Sequence, residues 1–365
     1  MLKPWFSLLL AAVSAWPALQ AHASHESAPA ILNQFKVFSP RLHVLKPAPN
    51  VRALPASPDE AARQRISADV EMMASKNFSL VVIEKGALLA EAYGHGATAE
   101  IPLNSYSMAK TLTALAVGEA MCAGKIKSLD DKAASYVPAL QGTAYGAASI
   151  RHLLSYTSGA KDPGGDGYSG IHNVPDFLAV TSHRISLLDL ALKHGQSSSF
   201  KPGEKFIYNG LDSETLSLVV RAATGMSLPK WFETTVWHKA GAQYPAGWFV
   251  DREGNGVGEM LVLASTRDFA RVGVYVLERL TNASADSCMN DFMKRAAEPL
   301  IAKGYWDSAP QFGLGLHVGA DGNTWFYGHS SQRIGINAKT GRVIATNGWN
   351  EWRGMNPVAR RLLSP

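Results

Sequence analysis

Strand-forming segments cluster near the two ends of this chain, and few occur between them. Near the start, two apolar runs at 78–83 and 88–93 flank Lys85-Gly86, a pattern that predicts a β-hairpin. From there to about residue 240 the pattern is one of helices and long loops rich in Gly and Pro. Further strand patterns return late, at 313–318, 325–328, 333–336 and 342–347.

This distribution predicts an α+β fold. We expect one antiparallel sheet, flanked by helices and built from both ends of the chain, with a mostly helical subdomain inserted in the middle. The sheet subdomain would comprise about 59–105 and 255–365, and the helical subdomain about 106–254. A functional site is expected in the cleft between the two subdomains.

Two segments precede this unit, which begins at Asp59 with an amphipathic helix. Residues 1–23 have one early lysine, a short apolar run and an Ala-x-Ala site, which predict a secretory signal peptide cleaved after Ala23. A transmembrane anchor is the alternative, but the run is too short to span a bilayer and is interrupted by Pro17. We therefore expect a secreted or periplasmic protein without a membrane span. Residues 24–58 are rich in Pro, Ala and Ser and are predicted to extend along the surface.

Composition excludes several classes of protein. The hydrophobic content of 46% supports a substantial core, and the net charge of +5 arises from scattered Lys and Arg, so no nucleic-acid partner is expected. No cluster of His, Cys, Asp or Glu has the spacing of a metal site, and no glycine-rich loop follows a strand, so we expect neither a metal nor an organic cofactor. Cys122 and Cys288 could pair after export, but Cys122 lies on an apolar helix and is expected to be a buried free thiol.

One motif predicts a catalytic nucleophile and its base. Ser107-Met108-Ala109-Lys110 opens an apolar helix that runs to about Gly124, and places Lys110 one turn from Ser107. A serine hydroxyl needs an adjacent proton acceptor, and a lysine can serve only if desolvation and nearby positive charge lower its pKa. The alternative is an ordinary capped core helix.

The spacing alone proves little, because Ser-x-x-Lys occurs four times, at Ser107, Ser158, Ser198 and Ser227. Ser158 and Ser198 lie in turns rich in Gly or Pro, where the serine and lysine cannot stack. Ser227 precedes a proline in a pattern typical of a helix N-cap. Only Ser107 opens an apolar helix, so Ser107 is the candidate nucleophile and Lys110 its base.

Together with the Ser107 motif, five other segments resemble the serine β-lactamase and penicillin-binding-protein superfamily. They follow the order found in that superfamily, at 124–131, 150–159, 202–208, 265–271 and 328–332. The likeness is to the class C-like branch, which includes the family VIII carboxylesterases. It implies a β-lactamase-like serine hydrolase domain over 59–365 that acts on a small-molecule ester or amide without a cofactor. The oligomeric state is left open.

The resemblance also implies roles for other residues. Tyr208 would be the second catalytic group, which accepts the serine proton or passes it to the leaving group; the alternative is a tyrosine that anchors its loop. Class C β-lactamases have Tyr-x-Asn where this chain has Tyr208-Asn209-Gly210, so an amide that binds the β-lactam side chain is missing. Asp212 instead resembles the Tyr-x-x-x-Asp pattern of 6-aminohexanoate-oligomer hydrolases. Tyr168, in a Gly-rich loop, is a candidate substrate lid.

The Lys-Thr-Gly box of β-lactamases has a misleading match in this chain. Lys339-Thr340-Gly341 lies between two strand patterns and is predicted to be a hairpin turn, which cannot line the cleft. The resemblance places His329-Ser330-Ser331 at the box, on an edge strand, where His329 would orient a substrate carbonyl or carboxylate. The alternative is a histidine bonded to a carbonyl at a strand end. The backbone N–H groups of Gln332 and Ser107 would form the oxyanion hole, and Ser331, in place of the usual glycine, would narrow the cleft.

The resulting hypothesis is acyl transfer. Lys110, assisted by Tyr208, deprotonates Ser107, which attacks an ester or a linear amide, and water then releases the acyl-enzyme. Two other hypotheses stay open. One is a β-lactamase or D,D-peptidase acting on penicillin-like or cell-wall substrates, and the other is a binding protein that keeps the fold without turnover.

Overall fold

The computed structural model describes residues 42–161, 163, 174–303, 309–348 and 352–364. The strands are β1 (Leu42–Leu45), β2 (Asn77–Glu84), β3 (Ala87–Tyr93), β4 (Leu103–Asn104), β5 (Ala246–Phe249), β6 (Val262–Ala264), β7 (Ile301–Ala302), β8 (Gln311–Phe312), β9 (His317–Val318), β10 (Thr324–Tyr327), β11 (Arg333–Asn337) and β12 (Arg342–Gly348). The α-helices are α1 (Glu60–Lys76), α2 (Met108–Cys122), α3 (Ala144–Ala147), α4 (Ile150–Leu154), α5 (Val174–Thr181), α6 (Leu187–His194), α7 (Gly210–Thr224), α8 (Leu228–Phe232), α9 (His238–Ala240), α10 (Thr266–Leu280), α11 (Ser287–Ala296) and α12 (Trp352–Leu363).

Eight strands form one antiparallel sheet in the order β3-β2-β12-β11-β10-β9-β8-β7. The predicted hairpin of β2 and β3 is confirmed, and β2 pairs along its length with β12 from the other end of the chain. The predicted strand at 313–318 is shorter than expected, because Gly315 leaves the sheet to pack on α2. A Cβ at Gly315 would lie 2.3 Å from the Cβ of Ala114. The α+β fold, with a sheet drawn from both ends of the chain, is confirmed.

Helices cover both faces of this sheet. Successive residues of β2 point to opposite faces, so Leu80 joins the cluster formed with α1 and α12, and Val81 joins the larger core. On that second face α10 packs closely against β12. A Cβ at Gly273 of α10 would lie 2.5 Å from the Cγ1 of Val343. The sheet is therefore a buried layer between helices.

A second, four-stranded sheet has the order β1-β5-β6-β4 and was not expected from the sequence. Its edge strand β1 belongs to the segment predicted to extend along the surface, and it pairs with β5 from Leu42 to Leu45. Its strand β6 is hydrogen-bonded to the chain just before the Ser107 motif, since Ser105 N donates to Val262 O at 2.7 Å. The second sheet therefore holds the entry to α2.

Helix α2 is buried on every side, as expected for a helix that is apolar all round. It lies between α7 and α8 of the helical region and α11. Trp231 of α8 donates through Nε1 to the carbonyl of Ala116, and a Cβ at Gly118 would lie 2.5 Å from the Phe292 ring. No helix in the described ranges is long and apolar enough to cross a membrane.

Cys122 and Cys288 form a disulfide, so the expectation of a buried free thiol at Cys122 is wrong. Cys122 is the last residue of α2 and Cys288 the second residue of α11, which packs beside it. Their Cα atoms are 5.7 Å apart, a separation that a disulfide spans. The sequence pattern missed the pairing because the two cysteines are separated by 166 positions and meet only through the packing of two helices.

Candidate active site

Ser107 lies at the start of α2 and is fixed by the turn that precedes it. Tyr106 has a left-handed backbone, with a φ of 42°, and its N–H donates to Oδ1 of Asn104 at 3.0 Å. Ser107 occupies the N-cap position, yet its side chain makes no capping hydrogen bond to the helix. Its hydroxyl therefore faces Lys110 instead of the helix end, and the residue is only partly buried.

Lys110 makes three contacts through its Nζ atom. Nζ lies 3.0 Å from Ser107 Oγ, 3.1 Å from the backbone carbonyl of Glu259 and 3.1 Å from Glu259 Oε2. It also lies 4.9 Å from the centroid of the Tyr208 ring. The predicted stacking of Lys110 over Ser107 is thus observed, although α2 begins at Met108, one residue after the serine.

The other three Ser-x-x-Lys sequences lack such a contact among the hydrogen bonds of the described residues. Ser158 Oγ accepts the N–H of Ala160 in a local turn. Ser227 is the N-cap residue of α8, as predicted, although its side chain makes no capping bond. Its lysine, Lys230, donates to Glu233 instead.

A buried acidic pair behind Lys110 was missed by the sequence reasoning. Glu259 and Glu214 are fully buried, and Glu214 on α7 accepts the N–H groups of Gly258 at 2.8 Å and Glu259 at 3.2 Å. From the other side, Thr113 of α2 donates to the carbonyl of Gly258 at 2.8 Å. The available signal was one carboxyl in the apolar run at 256–264.

The charges around Lys110 act against the protonation state that the sequence reasoning required. Burial lowers the pKa of Lys110, but Tyr208 and the Glu259 carboxylate raise it, and the net shift is upward. The expected lowering of this pKa is therefore not found, because the sequence reasoning did not include the Glu259 carboxylate. Burial and the Glu259 charge raise the pKa of Glu214 well above its ordinary value, which favours the neutral form of Glu214.

Tyr208 lies in the loop just before α7 and packs on an aromatic cluster. Its ring centroid is 5.4 Å from that of Tyr156, which also contacts Phe206 and Phe312. The Tyr156 hydroxyl is 2.6 Å from Ser213 Oγ, which ties this cluster to α7. Tyr208 is therefore held beside Lys110 by the aromatic rings while it stays partly exposed.

The segment from His329 to Gln332 is a tight turn between β10 and β11, so its placement on an edge strand is wrong. Both strands lie inside the sheet, and the turn closes through Gly328 N donating to Gln332 O at 2.8 Å, with a φ of 59° at Ser330. The turn nevertheless lies next to the Ser107 motif. The His329 ring centroid is 5.7 Å from that of Tyr106.

Ser331 and Gln332, the last two residues of this turn, differ from the roles that the resemblance implied. Ser331 is fully buried, so its side chain does not narrow an open cleft. The backbone N–H of Gln332 points to the carbonyl of His329 at 3.5 Å, a long and weak contact. The Gln332 side chain donates to the carbonyl of Gly348 at 2.7 Å and so ties the turn to β12.

Two further assignments concern substrate binding. Asp212 is fully buried in the first turn of α7, where its charge contributes to raising the pKa of Tyr156 after burial and Tyr208. Tyr168, the candidate lid, lies outside the described residues.

Lys339-Thr340-Gly341 forms the predicted turn between β11 and β12. The Asn337 side chain closes this turn, and Lys339 is exposed. Within the described ranges, no group of three or more His, Cys, Asp or Glu could hold a metal ion.

The fold and the Ser107–Lys110–Tyr208 arrangement define a β-lactamase-like α+β protein. The Beta-lactamase family model matches residues 62–360, so the chain belongs to that family, which is a family of hydrolases.

Individual relatives are more distant. Over 139 residues the chain is 30% identical to penicillin-binding protein 4* of Bacillus subtilis (strain 168), a match that covers 37% of this chain and 28% of that protein. Two solved structures share the fold. A putative 6-aminohexanoate-dimer hydrolase from Bacillus anthracis has a TM-score of 0.74 at 19% identity, covering 95% of this chain and 93% of the other. EstCE1, a hydrolase with promiscuous acyltransferase activity, has a TM-score of 0.66 at 15% identity, covering 84% and 99%.

Proposed function

We propose that this protein is an exported serine hydrolase that cleaves an ester or a linear amide through an acyl-enzyme on Ser107. The observation that carries the proposal is the 3.0 Å contact between Ser107 Oγ and Lys110 Nζ, with the Tyr208 ring 4.9 Å from the same nitrogen. A nucleophile within hydrogen-bond reach of a base system, itself held by other groups, is what covalent catalysis requires.

The reaction proceeds in two halves. In the first, the Ser107 proton passes to the Lys110 and Tyr208 base system, Oγ attacks the substrate carbonyl, and the same proton then goes to the departing alcohol or amine. In the second, a water gives its proton to the base system and attacks the acyl carbon. The bond from that carbon to Ser107 Oγ breaks, the proton returns to Oγ, and the acid is released. The backbone N–H of Ser107 and the turn from His329 to Gln332 are the proposed oxyanion site, because that turn lies beside Tyr106.

The preference for an ester or a linear amide rests on two features of the chain. Gly210 stands where an amide would bind the acyl side chain of a β-lactam, and the Lys-Thr-Gly sequence lies in an exposed turn at Lys339. The likeness to a 6-aminohexanoate-dimer hydrolase and to EstCE1 is consistent with this preference. The likeness to penicillin-binding protein 4* favours the alternative, a β-lactamase or D,D-peptidase.

Export is part of the proposal. The predicted signal peptide, cleaved after Ala23, would deliver the chain to an oxidising compartment, where disulfides form and persist. The Cys122–Cys288 disulfide supports this location.

The test is hydrolysis of four substrates by the purified chain: a short-chain p-nitrophenyl ester, a linear aminohexanoate dimer, a chromogenic cephalosporin and a D-Ala-D-Ala peptide. We expect the ester or the linear dimer to be cleaved fastest, with the activity lost in Ser107→Ala. Faster cleavage of the cephalosporin or the peptide would favour the alternative. A binding protein without turnover would cleave none of them and would not be labelled by a fluorophosphonate.

A further inference from the structure

We propose that Glu259 is the counter-ion that keeps Lys110 an ammonium during the reaction, so that the proton of Ser107 passes to Tyr208. Glu259 is thereby a positioning residue, since it acts through Lys110. The inference rests on the proposed function, because it concerns the division of labour within that base system.

The Lys110 Nζ atom has three positions that can each hold a proton or a lone pair. Its two contacts to Glu259 show that two of these positions hold protons. A carbonyl oxygen and an ionised carboxylate can only accept hydrogen bonds, so both contacts to Glu259 require N–H groups on Nζ. The third position points at Ser107 Oγ. It carries either a proton, in an ammonium, or a lone pair, in a neutral amine. Only the lone pair could accept the serine proton.

The burial of the pair decides between these two states. The side chains of Lys110 and Glu259 are 4% and 0% exposed, so water screens little of their attraction. Deprotonating Lys110 would leave the Glu259 carboxylate buried without its cation, which is costly. The ammonium state is therefore favoured, and Lys110 donates to Ser107 Oγ without accepting from it.

Glu214 holds the Glu259 segment in place through two backbone contacts. It accepts the backbone N–H groups of Gly258 and Glu259 from the far side of that segment. The segment packs closely against α7, where a Cβ at Gly258 would lie 2.3 Å from the carbonyl oxygen of Ser213. The Glu259 carboxylate is thus aimed at Lys110 by packing from α7.

The titratable groups that act on this pair come from several elements. Tyr208 precedes α7, Tyr156 follows α4, and both are phenols. His317 on β9 is neutral, because burial and the charges of Lys303 and Lys110 lower its pKa well below the ordinary value. Glu214 on α7 interacts with the charges of both Glu259 and Lys110, whereas Asp212, also on α7, acts on Tyr156. Among these acids, Glu259 is in direct contact with Lys110, and with Tyr208 its charge raises the pKa of that lysine.

The experiment measures the pH dependence of fluorophosphonate inactivation, which requires no knowledge of the natural substrate. The full chain and Glu259→Gln are compared between about pH 6 and pH 10.4, the upper end being the ordinary pKa of lysine. The wild type is expected to show no alkaline decline in this range, because Lys110 stays charged. Without the Glu259 carboxylate Lys110 loses its proton more readily, so Glu259→Gln is expected to decline at least about one pH unit lower.

Glu233→Gln is the matched control. Glu233 is a buried glutamate paired with a lysine, Lys230, and its second oxygen accepts the N–H of Lys46. Its replacement should leave the pH profile of inactivation as in the wild type. A profile in Glu233→Gln that shifts as much as that of Glu259→Gln would overturn the assignment of the effect to the Lys110 contact.

Two results with Glu259→Gln overturn the inference while leaving the proposed function intact. One is labelling at Ser107 with an unshifted pH profile. The other is a rate that rises through alkaline pH without a decline, which would make neutral Lys110 the base. Absence of labelling in the wild type would instead overturn the proposed function.

If Glu259→Gln is too unstable to be labelled, its thermal midpoint is compared with that of the double variant Lys110→Met with Glu259→Gln. Removing both charges leaves neither one buried alone, so the double variant should have the higher midpoint. A midpoint no higher than that of Glu259→Gln overturns the pairing.

Discussion

Lys110 Nζ and Glu259 Oε2 lie 3.1 Å apart, in side chains that are 4% and 0% exposed. The ion pair places a negative charge behind the lysine that the sequence motif nominates as a base. Such a charge favours the ammonium form, so the motif alone does not identify the proton acceptor. We infer that Tyr208, whose ring lies 4.9 Å from the same nitrogen, is that acceptor.

Glu214 should matter for stability through its two backbone contacts. Glu214→Ala leaves the buried N–H groups of Gly258 and Glu259 without their acceptor, and we expect the free energy of unfolding to fall by about 2–4 kcal/mol. Urea unfolding measures the change. Glu60→Ala, which alters an exposed glutamate of α1, is the control and should cost less than about 0.5 kcal/mol. Equal stability of the two variants would contradict the role of Glu214.

His329 and Lys339 should respond differently to substitution. His329 lies beside the Ser107 motif, so His329→Ala is expected to lower kcat/KM on the best substrate by about tenfold or more, the scale of one positioned polar group. Lys339 is in an exposed turn, so Lys339→Ala should leave kcat/KM nearly unchanged and alter stability by less than about 0.5 kcal/mol. If Lys339→Ala were the inactive variant, a β-lactamase-like Lys-Thr-Gly site would regain support.

The Cys122–Cys288 disulfide should stabilise the fold without affecting chemistry. Its removal in Cys288→Ser is expected to cost about 2–5 kcal/mol of unfolding free energy. Cys122 is at the far end of α2, about 22 Å from Ser107 at the rise of an α-helix, so the folded variant should keep its rate of fluorophosphonate labelling. Thiol titration of the unreduced, unfolded wild type should find no free thiol. Two free thiols per chain would restore the original expectation.

Lys303 should make stability depend on pH. Burial lowers the pKa of Lys303 to about 7. Because the unfolded chain keeps this proton up to about pH 10.4, the unfolded state binds more protons than the folded state between those values, and stability gains a rising contribution from about pH 7 upward. Lys303→Met should remove this rise in the urea midpoint, whereas Lys339→Met should keep it. The same pH dependence in both variants would contradict the prediction.

Local patterns account for the parts of the structure that the sequence predicted. The β2–β3 hairpin, the turn at Lys339 and the contact of Ser107 with Lys110 each depend on residues a few positions apart. Segments at both ends of the chain also had enough strand character to predict the sheet. The roles of the site residues stay predictions.

The features that sequence reasoning missed depend on distant contacts or on unexpected turns. Glu259 meets Lys110 across 149 positions, and Cys288 meets Cys122 across 166. The small sheet joins segments from three parts of the chain: β1 and β4 each pair with a strand that is distant in sequence, and only β5 and β6 are close along the chain. The His329 segment was expected to be a strand, but the left-handed backbone at Ser330 makes it a turn.

Mapping the covalent adduct of a fluorophosphonate tests the central claim most directly. The purified chain is labelled, digested with trypsin and analysed by mass spectrometry, with Ser107→Ala treated in parallel. The account predicts one modified peptide, 86–110, with the adduct on Ser107 and no labelling in Ser107→Ala. An adduct on Ser158 or Ser227, or labelling that persists in Ser107→Ala, would contradict it.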